Sequence, residues 1–163
     1  MLTALSIRDI VLIEKLDISL EAGLTVLTGE TGAGKSILLD ALGLALGGRG
    51  DSTLVRHGAQ RGVVTAAFSL AKTHAVFSIL ADQGIEADGE LVIRRIQTAE
   101  GPSRATINEQ PVSLNLLRQI AGSLAEIHGQ HADRALVDVA AHRRLVDAYG
   151  GLDGQLGVVA TAW

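Results

Sequence analysis

Apolar residues at the start of the chain come in short runs, Leu2 to Ile7 and Ile10 to Ile13, and then at alternate positions, Leu16, Ile18 and Leu20. Period-two spacing predicts two or three strands with one face turned inward. Leu24-Thr25-Val26-Leu27-Thr28 reads differently, because a β-prone and nearly continuous apolar run is expected of a strand buried on both faces. From Ile37 to Leu46 apolar residues crowd every turn of a predicted helix, which Gly47-Gly48 stops. Arg49 to Ala59 is irregular, and Val63 to Leu70 reads as a strand. Thr73 is placed to cap a helix running to about Asp82 and closed by Gly84.

The second half begins as a meander. Glu90 to Gln97 and Arg104 to Ile107 are β-like around a turn at Glu100-Gly101-Pro102, and Asn108-Glu109 turns into a short run near Val112. Ser113 then reads as the N-cap of a helix carrying Leu114, Leu116, Leu117, Ile120 and Leu124. Glu126 to Gln130 reads as a strand end or loop, and Val137 to Tyr149 as a helix stopped by Gly150-Gly151. Leu152, Leu156, Val159 and Trp163 recur at helical spacing. The stripe fits either the start of a coiled coil or a terminal helix packed on its own domain. Spacing alone leaves both open for 150–163.

Composition narrows the classes. At 163 residues the chain is long enough for one domain with a proper core. Charges such as Arg8, Glu14, Asp17, Glu21 and Asp40 break every apolar run well short of a membrane span, and no basic segment precedes an uninterrupted apolar core, so a soluble, cytoplasmic protein is expected. The absence of cysteine removes disulfides, thiol nucleophiles and Cys-ligated zinc. A net charge of −4 means that any contact with DNA must come from a local patch. Arginines gather at Arg49, Arg56 and Arg61 and again at Arg94, Arg95 and Arg104. Both groups read as solvated surface with scattered ion pairs, with DNA contact the alternative for the first. The four aromatic residues are too few and too scattered for a base-stacking platform.

The chemistry is concentrated in Gly29-Glu30-Thr31-Gly32-Ala33-Gly34-Lys35-Ser36, which fits the G-x-x-x-x-G-K-[S/T] pattern between a predicted strand and a predicted helix. Glycines at 29, 32 and 34 let successive N–H groups curl around phosphate oxygens. Lys35 is placed to reach the β- and γ-phosphates, and the Ser36 hydroxyl to ligate Mg²⁺. Ile37 closes the segment at a helix N-terminus, where orphan N–H groups favour an anion. The expected ligand is therefore a nucleoside triphosphate with Mg²⁺.

The surroundings sort the phosphate-loop classes. A GTPase should carry Asn-Lys-x-Asp, but Asn108 precedes Glu109 and Asn115 precedes Leu116. Asp147-Ala148-Tyr149-Gly150 spells D-x-x-G at a predicted helix end and reads as a C-cap. A small-molecule kinase, with arginines between 94 and 104 clamping phosphates, stays open, as does a non-catalytic module that nucleotide orders for a partner. His128, His131 and His142 lack the H-E-x-x-H frame of a zinc site.

Five stretches carry a more specific likeness. Leu5 to Ile13, Leu24 to Ser36 and Leu42 to Arg49, together with Arg104 to Val112 and Ile127-His-Gly-Gln-His131, resemble the start of the RecN family, bacterial double-strand-break repair ATPases related to SMC proteins. The resemblance implies an α/β P-loop NTPase fold, the N-terminal lobe of an ABC/SMC-type head with an antiparallel β subdomain over 1–149, and the beginning of a coiled-coil arm over 150–163. It implies ATP and Mg²⁺ as ligands, held by Gly29 to Ile37 and by Gln130, which would coordinate the metal and sense the γ-phosphate. With Lys35, Gln130 would make the catalytic contribution of this segment. The Asp-Glu pair and the Leu-Ser-Gly-Gly type signature of such heads are missing from the sequence. Hydrolysis is then expected to need a C-terminal lobe of the same protein and a homodimer of heads sandwiching two ATP molecules, acting on DNA in the nucleoid-bearing cytoplasm and not at a membrane. Glu109 departs from the family pattern, which expects glycine in a tight hairpin.

Overall fold

The computed structural model describes residues 1–29, 34–127, 146–147, 149–152 and 159. Chain contacts divide it into Met1–Ile127 and His128–Trp163. The second unit lies largely outside the described residues, and with it the predicted helix from Val137 and most of the apolar stripe beyond Gly151.

In the first unit, β1 (Leu2–Ile10), β2 (Ile13–Ser19), β3 (Arg61–Ser69), β4 (Glu90–Thr98), β5 (Arg104–Ile107) and β6 (Gln110–Pro111) form one sheet in the order β2-β1-β3-β4-β5-β6. Every neighbouring pair is antiparallel. Three helices, α1 (Lys35–Ala45), α2 (Ala75–Asp82) and α3 (Leu114–Leu124), share a core with it. Register explains the burial: Leu5, Ala66, Ile93 and Ile107 are cross-strand partners, as are Leu16, Ile7, Val64, Arg95 and Ala105. These rows form the inner face, against which Ala41 and Leu44 of α1, Val76 and Leu80 of α2, and Leu117 and Ile120 of α3 are buried. Each fully buried aliphatic side chain contributes about 1.5–3 kcal/mol relative to exposure. The opposite face carries Ser6, Arg8, Val63, Thr65, Arg94, Ile96, Arg104 and Thr106 and is at least partly open to solvent.

Helix ends follow the sequence closely, with one exception. α1 closes with Gly47 at φ 92, while Gly48 N–H donates to Gly43 O at 2.9 Å and Gly47 N–H to Leu44 O at 3.2 Å, the paired bonds of a Schellman motif. Ser113 Oγ accepts from Leu116 N–H at 3.2 Å and starts α3. α2, however, is capped by His74, whose Nδ1 accepts from Val76 N–H at 3.3 Å, one position after the Thr73 expected from the sequence. An imidazole nitrogen satisfies an orphan N–H as a hydroxyl would, and residue-type preference alone does not rank it.

The predicted strand before the phosphate loop is not a strand here. Leu24 to Thr28 has no ladder partner, and Leu24, Val26 and Leu27 are 93%, 70% and 51% exposed. A doubly buried strand needs a neighbour on each side and cover on both faces. The six-stranded sheet supplies neither to this run.

Candidate nucleotide site and its surroundings

α1 begins without a side-chain cap. Its N-cap is Gly34, at φ 93, a left-handed conformation that costs glycine little and other residues more. Leu38 N–H reaches Gly34 O at 3.2 Å, so the helix is closed from its first turn, and that turn contains no acidic residue. A helix start of this kind, with orphan N–H groups and the positive end of the dipole, favours an anion. Lys35 Nζ donates to the carbonyl of Gly29, which ties together the two ends of the glycine-rich segment. A methyl group on Gly29 would sit 3.6 Å from that nitrogen. The Ser36 side chain is exposed and Ile37 packs on the core, so a hydroxyl and an anchor project from adjacent positions.

Of the expected site residues, Gly29, Gly34, Lys35, Ser36 and Ile37 are brought together. Glu30, Thr31, Gly32 and Ala33 lie outside the described residues, as do Gln130 and the histidines at 128, 131 and 142. No cluster of three metal-ligating side chains occurs among the described residues. Asp40 is exposed on α1, as its helical position implied.

The arginines regroup in space. Arg56 is tied to Glu14 at 3.1 Å and to Asp9 at 3.8 Å. Arg61, Arg94 and Arg104 share the open face of the sheet. Arg95, read from sequence as solvated surface, is instead fully buried. Among the described residues, neither its three guanidinium nitrogens nor Gln97 Oε1 has a hydrogen-bond partner. Burial, and then the nearby charge of Arg118, pushes its pKa down. Arg118 itself donates from Nε to Gly47 O at 3.0 Å, pinning α3 to the end of α1. A sequence signal for Arg95 did exist: Leu91, Ile93, Arg95 and Gln97 keep the inward phase of β4.

A family model described as AAA domain matches residues 4–131, the span that holds the phosphate loop, the sheet and all three helices. The chain belongs to the AAA domain family. Within it, this AAA domain is 47% identical over 152 residues to DNA repair protein RecN of Halalkalibacterium halodurans, a match covering 93% of this chain and 27% of that protein. RecN of Bacillus subtilis is 42% identical over 154 residues, 94% of this chain and 27% of the relative. The chain therefore spans about 27% of the length of these relatives and is similar to that part of RecN. Among solved structures, a chain described under ATP-driven dimerization and DNA-stimulated activation of SMC ATPases superposes with a TM-score of 0.67 at 22% identity, covering 90% of this chain and 97% of that one. An SmcHead bound to the C-winged helix domain of ScpA gives 0.68 at 19% identity, covering 99% and 55%. These likenesses establish the fold, an α/β P-loop head with an antiparallel sheet. No described helix is long and apolar enough to cross a membrane.

Proposed function

We propose that this chain is the ATP-binding half of a RecN-like ATPase acting in DNA double-strand-break repair and recombination. The observation that carries the proposal is the start of α1, where a left-handed Gly34 opens an acid-free helix N-terminus beneath Lys35. That arrangement fits a triphosphate: backbone N–H groups meet its oxygens and Lys35 exchanges the Gly29 carbonyl for phosphate. Ser36 and Gln130 would hold Mg²⁺, which supplies counter-charge to the phosphates. Gly29 to Ile37 would form the cradle.

The unpartnered run Leu24 to Thr28 supports the second half of the proposal. Its neighbours would come from a C-terminal lobe of the same polypeptide, which would also bring the acidic pair and the signature that this sequence lacks. Two heads would then close on two ATP molecules, with residues from 150 onward entering a coiled-coil arm and the assembly working on DNA in the cytoplasm. Lys35 and Gln130 contribute charge and water or metal positioning to hydrolysis, but no described carboxylate is placed to orient an attacking water.

Calorimetric titration of the folded chain with MgATP is expected to show binding that Lys35→Ala weakens about tenfold to a hundredfold, the worth of a charge-assisted contact. Steady-state hydrolysis should stay at background. Absence of nucleotide uptake by folded protein overturns the ATP reading, and robust turnover by the purified chain overturns the half-site reading.

A further inference from the structure

The open face of the sheet carries a band of positive charge that runs across the strands. Cross-strand register places Lys15, Arg8, Val63, Ile96 and Arg104 in one row over β2, β1, β3, β4 and β5. Arg94 lies one row to one side, opposite Thr65 and Thr106, and Arg61 one row to the other, opposite Thr98. With strands about 4.8 Å apart, the band is roughly 19 Å long. Lys15, Arg61, Arg94 and Arg104 are exposed, and none of them belongs to an ion pair among the described residues.

The acidic residues near this face do not cancel it. Asp17 is bound by Arg8 at 2.9 Å, and the Ser6 hydroxyl followed by Arg8 holds its carboxyl below the usual 3.8. Asp9 is taken up by Arg56. Glu90 and Glu109 stand at the far end of β4 and β5, beyond Val92. In a chain of net charge −4, three exposed arginines outside any ion pair among the described residues, with Lys15 beside the Arg8-bound Asp17, are a local reversal of sign on one side of one sheet. The surface is also shaped. A depression of about 390 Å³ bordered by Ser6, Arg8, Arg61 and Arg94, with the Arg56-paired Asp9 at its edge, meets a second of about 610 Å³ bordered by Arg94, Ile96 and Thr106 that reaches Glu109 at its far end. The two share Thr65 and Arg94.

We propose that this cationic band binds the phosphate backbone of duplex DNA. The proposal rests on the DNA-repair reading above and assigns to it a surface on the side of the sheet away from the buried core. Guanidinium groups and threonine hydroxyls are the side chains that recognise phosphate oxygens, and no aromatic residue lies on the band to read bases, so recognition is of the backbone and independent of sequence. Arg61, Arg94 and Arg104 each neutralise a phosphate.

Fluorescence anisotropy with a labelled duplex of about 20 base pairs, titrated from about 50 to 200 mM salt, tests this directly. The combined variant Arg61→Gln, Arg94→Gln, Arg104→Gln is expected to bind roughly tenfold or more weakly at low salt, with the slope of log affinity against log salt reduced by about 2 to 3. Lys72→Gln, which removes a cation paired with Asp88 off this face, should leave both unchanged. Circular dichroism melting confirms that each variant is folded, and MgATP calorimetry on the same samples reports the nucleotide site separately. Unchanged slope and affinity in the folded triple variant, or no DNA binding by the parent chain, overturns the proposal while intact ATP binding leaves the nucleotide reading standing. Equal affinity of the parent for a charge-matched poly-glutamate overturns it in favour of an acidic protein partner.

Discussion

A guanidinium enclosed by Val64, Ala105 and the segment through Gly50, with no acceptor for any of its nitrogens, lowers the stability of the chain. Desolvating such a charge costs several kcal/mol, and only a well-placed counter-ion offsets it. Replacing Arg95 by methionine, of similar length and apolar, is therefore expected to raise stability by about 1–3 kcal/mol in urea titrations. A lowered midpoint would mean that the guanidinium has a partner in solution. The phosphate-loop pattern stands out in the sequence because glycine, lysine and serine at fixed spacing have no common alternative use, and α1 does begin where that pattern places a helix start. Arg95 was missed because residue-type preference outweighed the alternation of its own strand. Nor did spacing announce that Lys35 would fold back to Gly29, since that contact depends on the path of the whole loop.

Among the elements, both helix stops and all six strands of the sheet lie close to where apolar period and turn residues placed them, because burial of one face sets the register. The β5–β6 hairpin is the informative departure. Asn108 and Glu109 adopt φ of 45 and 67, the left-handed pair of a tight two-residue turn, and Asn108 Oδ1 accepts from Val92 N–H at 2.8 Å. Asparagine tolerates that conformation, whereas glutamate is strained by it. Glu109→Gly should stabilise the chain by about 1 kcal/mol, seen as a raised thermal midpoint, with Asn108→Ala acting in the opposite direction. The failure at Leu24 to Thr28 has another origin. Local pattern reports that a segment is suited to burial, but whether it is buried depends on neighbours that this sheet does not supply.

At the scale of the molecule, one side of the sheet is finished by helices and the other is charged, while a bare apolar run leads into the nucleotide loop. Exposed β-prone backbone is a template for pairing with another copy. Light scattering of the purified chain at rising concentration should therefore grow with time, and Val26→Lys should suppress it without moving the melting midpoint, because Val26 makes no packing contribution to lose. A fall in midpoint would place this side chain in a packed environment.

The same run has a consequence for biosynthesis. Ribosomes add about 5–20 residues each second, so if its partners are encoded downstream as proposed above, the stretch would stay adhesive for tens of seconds after its own lobe had set. A nascent RecN-like polypeptide would then depend on holdase chaperones during that interval, and early ATP capture by the adjoining loop would shorten it.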